Sequence, residues 1–164
     1  MKTVGIDLGL STTAVVLMED KHIERVHCFG TDAPKYFKNL IHAHPINRYK
    51  AYYTELETFL ADFSVTATIV MEKPHGSFYG DAIKLAELLG VYYMAIEKHV
   101  DASKVYLPTA GEIKKAFTGD GACSKTDIVI KCKQLGYFPA NEHVADAIAM
   151  AVMGHNPKFF LPKK

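Results

Sequence analysis

Four residues of this chain stand where a packed domain would ordinarily place apolar side chains, or where ligands gather. Asp7 interrupts the apolar run Val4-Gly5-Ile6-Asp7-Leu8. A charge buried there is costly unless it is paired or binds a metal. Glu72 follows the continuous apolar run Ala67–Met71, at the carboxyl end of an expected strand, where open α/β sheets collect their ligands. His143 and Asp146 are three apart in an expected helix and so share a face. Asp146 lies among Val144, Ala145, Ala147, Ile148 and Ala149, again a charge among core-like residues. Each has an ordinary explanation taken alone. A strand aspartate accepts turn hydrogen bonds, a loop glutamate is solvated, a first-turn histidine is satisfied locally, and Asp146 pairs with a lysine. Together, three carboxylates and an imidazole form the oxygen-rich set preferred by Mg2+ or Mn2+. Two such ions about 3.5–4 Å apart activate a water and stabilise the leaving oxygen in phosphodiester cleavage. Glu142, four residues before Asp146, is a competing ligand.

The elements that must position these residues follow from local signals. Residues 2–9 read as a strand. The turn at Gly9-Leu10-Ser11-Thr12 leads to a second strand, Thr13–Met18, and Glu19-Asp20-Lys21 to a third, His22–Phe29. Pro34 and Pro45 bracket a possible short helix, Lys35–His42. Ile46, Tyr49, Tyr53, Leu56, Leu60 and Phe63 recur at helical spacing over about 47–63. Ala67–Met71 is a buried strand of the parallel type. Helix Asp81–His99 carries an apolar face of Ile83, Leu85, Ala86, Leu89, Tyr93 and Ile96, and is apolar enough to contribute either to a subunit interface or only to covering the sheet. Strand Lys104–Leu107 stops at Pro108. Thr109 with Glu112, and Ser124 with Asp127, are capping boxes for helices Ala110–Phe117 and Thr126–Leu135, and Asn141 caps a last helix, Glu142–Met153. The expected fold is a mixed α/β sheet, three antiparallel strands then two parallel ones, with helices on both faces. Residues 1–154 form one domain and 155–164 a short basic tail.

Composition narrows the class. The 164 residues suit one core, 49% are hydrophobic, and net charge is +1. No global basicity announces a nucleic-acid binder, so such binding has to come from local clustering. Segment 104–136 supplies it: six lysines (104, 114, 115, 125, 131, 133) against three acids (112, 120, 127), an excess of three, with Gly119 and Gly121 between them. Glycine-turn amides and helix N-termini hold phosphates, and lysines add charge. In isolation such lysines are more often a solvated surface. Three cysteines without metal-type spacing indicate a reduced, cytoplasmic protein. The apolar runs are far shorter than the ~20 residues a membrane span needs.

Four segments in order resemble the RuvC-type Holliday-junction resolvases, bacterial or phage, of the RNase H-like nuclease superfamily: GIDLGLSTTAVVL, IVMEKP, IKKAFTGDGACSK and HVADAIAMAV. The resemblance spans nearly the whole chain. It implies an RNase H-like fold and a homodimer that cuts four-way DNA junctions by paired symmetric nicks. It also implies two Mg2+ (or Mn2+) ions held by Asp7, Glu72, His143 and Asp146, with Asp7 shared between them. Lys114 and Lys125 fall on the family's DNA-contacting lysines, with Lys115 beside them. Phe78 or Tyr79, in KPHGSFYGD, is the candidate for the aromatic near the junction centre, in a register that differs from the family's. His143 replaces the acid of many relatives. The opening hairpin also resembles that of actin-like or sugar-kinase-type ATPases, but those need two domains and a second glycine-rich hairpin, which is not found here. An inactive DNA-structure binder, or a nuclease for other branched DNA, completes the alternatives.

Overall fold

β-Branched and apolar residues dominate the first thirty positions, and three strands form there: β1 (Lys2–Asp7), β2 (Thr12–Glu19) and β3 (His22–Gly30). The computed structural model describes residues 1–30, 44–61, 67–74, 79–156 and 159. β4 (Thr68–Met71) and β5 (Val105–Tyr106) complete a five-stranded sheet ordered β3-β2-β1-β4-β5. β1 pairs antiparallel with β2 and parallel with β4, and β4 pairs parallel with β5. This is the expected mixed topology, with β1 at its centre. The possible helix Lys35–His42 lies outside the described residues.

Pleat alternation splits the sheet's side chains between two cores. On one face Val4, Ile6, Val15 and Leu17 pack with α1 (Pro45–Ala61) and α2 (Tyr79–Ile96). On the other, Ala14, Val16, Met18 and Val70 pack with α3 (Ala110–Thr118), α4 (Lys125–Gln134) and α5 (Glu142–Gly154). Two expected helix faces are rotated. α1 buries Tyr52, Leu56, Phe59 and Leu60, leaving Ile46 exposed and Tyr49 and Tyr53 half-buried. α2 buries Leu88, Tyr92, Ala95 and Ile96, leaving Ile83, Tyr93 and Met94 exposed. Leu56, Leu60 and Ile96 of the expected stripes are buried, but both helices have apolar residues on more than one side, so tertiary packing decides the rest of the face.

The contact that matters most for the site is between β1 and α5. A Cβ on Gly5 would lie 1.9 Å from the Ala147 carbonyl oxygen and 2.6 Å from the Ala151 nitrogen. Strand and helix backbones therefore touch. The glycine, with fully buried Ala147 and Ala151, makes that approach possible. Both expected capping boxes form, Thr109 with Glu112 and Ser124 with Asp127, and Asn141 accepts from the Val144 amide as the cap of α5.

Candidate active site

The backbone contact at Gly5 brings the carboxyl end of β1 to the first turns of α5. Asp7 is the last residue of β1, and His143 Nδ1 lies 2.7 Å from its Oδ2. The two are 136 residues apart in sequence, so this bond is purely a product of the fold. Asp7 is 15% exposed and His143 37%. Burial raises the Asp7 carboxyl above the usual aspartate range, and the His143 hydrogen bond and the charges of His143 and Lys125 oppose it. One turn along α5, Asp146 is pushed up to about 6, first by burial and then by the charges of Asp7 and Glu72, with Lys125 and His143 acting in the opposite direction. The three carboxylates therefore lie within one another's fields.

Lys125 is the first residue of α4. Its Nζ lies 3.8 Å from Asp146 Oδ2 and 3.7 Å from Glu142 Oε2. A cleft of about 160 Å³ joins these groups, lined by Glu72, Ala110, Ile113, Lys114, Lys125, Ile128, Asp146 and Met150. Lys115 is exposed and outside that lining, Phe78 is outside the described residues, and Tyr79 opens α2. Glu142 turns to Lys125 at the rim.

The donor set fits a hard divalent cation in kind. Desolvated carboxylates raise one another's proton affinity, and a cation is the partner that relieves this. Among the described residues no three His, Cys, Asp or Glu side chains yet converge at liganding positions. Asp7 is engaged by His143 instead, and Asp146 by the Lys125 ammonium. Metal binding would exchange these contacts for coordination.

Sequence reasoning missed the residues that hold the turn after Asp7. Thr13 Oγ1 lies 3.3 Å from the Gly9 carbonyl oxygen, 3.4 Å from the Gly9 amide and 2.6 Å from the buried Tyr92 hydroxyl. Tyr52 donates to the Leu10 carbonyl at 2.9 Å. These partners come from α1 and α2, 42 and 79 residues away, and no local signal announces them.

The family model for crossover junction endodeoxyribonuclease RuvC matches residues 3–155. The chain belongs to the RuvC family. That family is one of metal-dependent nucleases, so the function class expected from the four acidic and basic segments holds. Two solved structures share the fold. The Thermus thermophilus RuvC structure superposes with a TM-score of 0.74 at 20% identity, covering 100% of this chain and 99% of that one. T. thermophilus RuvC in complex with a Holliday junction substrate gives the same TM-score and identity, covering 98% of this chain and 94% of that one. A comparison with curated protein sequences finds no match. The RNase H-like sheet expected for the RuvC family is the sheet observed. Among the described residues no helix is long and apolar enough to cross a membrane.

Proposed function

We propose that this RuvC-family chain resolves four-way DNA junctions as a homodimer, with Asp7, Glu72, His143 and Asp146 holding two Mg2+ or Mn2+ ions. The observation that supports the assignment is a cleft that Glu72 and Asp146 line together with Lys114 and Lys125, with Asp7 and His143 paired where β1 meets the helix of Asp146. The Thermus protein of the same fold is described with a Holliday junction substrate. Bound cations would neutralise the charge that develops on the cleaved phosphate. The chain's own groups do the rest. Lys114 and Lys125 attract and orient the backbone phosphate, Lys115 extends the basic surface, and His143 holds the Asp7 carboxylate in place or binds metal itself. Phe78 and Tyr79 supply the aromatic candidates for the junction centre, Tyr79 as the first residue of α2. The exposed Ile83, Tyr93 and Met94 of α2 offer an apolar face for a second copy.

The test is cleavage of four-way, Y-shaped and linear duplex DNA in Mg2+, Mn2+ or EDTA. Wild type should cut the four-way junction only with a divalent cation. Asp7→Asn should lose at least about three orders of magnitude in rate while still binding the junction, as expected when a group essential to the chemistry is removed. An Asp7→Asn protein that cleaves normally sinks the assignment.

A further inference from the structure

A second cleft lies on the other side of the catalytic turn. It holds about 270 Å³ between the start of α1 and the middle of α2, and Leu10, three residues past the end of β1, forms part of its wall. Two cations, Arg48 and Lys84, line it. Arg48 is half-buried, and among the described residues its shielded Nε has no hydrogen-bond partner. A guanidinium donor removed from water and left unsatisfied is costly, so the position calls for an acceptor. The one acid in the wall, Glu87, already accepts from the Tyr49 hydroxyl. Burial, then Glu87 itself, pushes that hydroxyl up to about 12, so Tyr49 stays protonated and remains a donor. Lys84 touches only Asp81, at 3.9 Å, through an exposed i,i+3 pair of the kind worth little in water. Pro45, the first residue of α1, also faces the cleft and brings the positive end of a 17-residue helix to it.

We propose that this cleft is an anion site, and that its occupant is a backbone phosphate of the DNA, flanking the phosphate that is cut. Arg48 supplies the directional donors and Lys84 a mobile charge. Its place follows from the turn. Tyr52, in the cleft wall, donates to the Leu10 carbonyl, and Leu10 stands three residues after Asp7. A strand running past Asp7 would therefore meet the catalytic cleft on one side of the turn and the Arg48–Lys84 cleft on the other. The proposal rests on the nuclease reading above.

The experiment is junction binding by fluorescence anisotropy over a range of KCl, with Ca2+ in place of Mg2+, for wild type, Arg48→Gln, Lys84→Ala and Lys50→Ala. Lys50 is exposed on the same helix and outside the cleft, so it controls for bulk charge. Arg48→Gln should weaken binding about 10-fold, within the range for a charge-assisted contact. It should also flatten the salt slope by about one, as loss of one phosphate contact does. Lys84→Ala should do the same to a smaller degree, and Lys50→Ala should leave the slope unchanged. Lys84 is exposed, so its variant tests the site even if Arg48→Gln folds poorly. Unchanged slopes for both cleft variants, or an equal change in Lys50→Ala, overturn the site while leaving the nuclease intact. No binding of any branched DNA by wild type overturns the nuclease reading and the site with it.

Discussion

The acids of the cleft are held from inside the fold, and its lysines from the surface. Asp7 ends the central strand of the sheet, and His143 and Asp146 ride a helix whose backbone touches that strand at Gly5. Lys114 and Lys125, by comparison, sit on the short helices α3 and α4, fixed by capping boxes at exposed ends. Gly121, in the loop between them, comes close enough to α3 that a Cβ there would lie 3.0 Å from the Gly111 carbonyl oxygen. The backbones that carry Asp7, His143 and Asp146 are thus fixed against one another, while the side chains rest on His143 and Lys125 in this structure. The lysines keep the freedom to follow a deformable polyanion.

Substitutions should separate the two halves. The largest effect belongs to Gly5→Ala. Its methyl would overlap the Ala147 carbonyl, so α5 has to move away from β1, with a stability loss above the roughly 3 kcal/mol upper range of ordinary overpacking. Denaturant unfolding and cleavage should both fail together.

Next is the proton equilibrium of Asp146. Its pKa in the fold is about 6 against 3.8 for the free side chain. The neutral form is therefore the one the metal-free fold favours. That contribution is fully present below pH 3.8 and is lost as pH rises through about 6. It amounts to about 2–3 kcal/mol. In EDTA, Asp146→Asn should be more stable than wild type at pH 7.5, and the difference should vanish near pH 4. A constant difference across that range would show that Asp146 is not desolvated as described.

Smaller again are Lys114→Ala and Lys125→Ala. Each should weaken junction binding about 5-fold and reduce the salt slope by about one, with the melting temperature little changed. Lys125→Ala carries an extra consequence, because it also removes the cation beside Asp146 and so raises that carboxyl further. The smallest effect is Ser124→Ala, about 1 kcal/mol of local stability at the start of α4, read as faster amide exchange there and a modest loss of DNA affinity. Cleavage of bound DNA at saturation should be unaffected.

The same division explains what the sequence could announce. The capping boxes, the Asn141 cap and the three-strand meander are written in neighbouring residues, and all form as expected. The acids were visible because a charge in an apolar run is anomalous wherever it occurs. What joins them was not. Gly5 reads as a weak strand former, and Ala147 and Ala151 as ordinary helix formers, until the two backbones are seen to touch. The Tyr92–Thr13 bond likewise spans 79 residues with no local signature. The buried stripes of α1 and α2 were partly misplaced for a related reason: helices apolar on several sides are oriented by their neighbours, Phe29 against Tyr52 and Tyr92 among them.

The bond between Asp7 and His143 also sets a schedule. The aspartate is synthesised 136 residues before the histidine it meets on α5. Until that helix has docked on β1, the sheet strands and the lysines of α3 and α4 can be in place while the Asp7–His143 pair is not. If these residues form the proposed site, a growing chain cannot cut DNA before α5 has docked on β1, whatever else has folded by then.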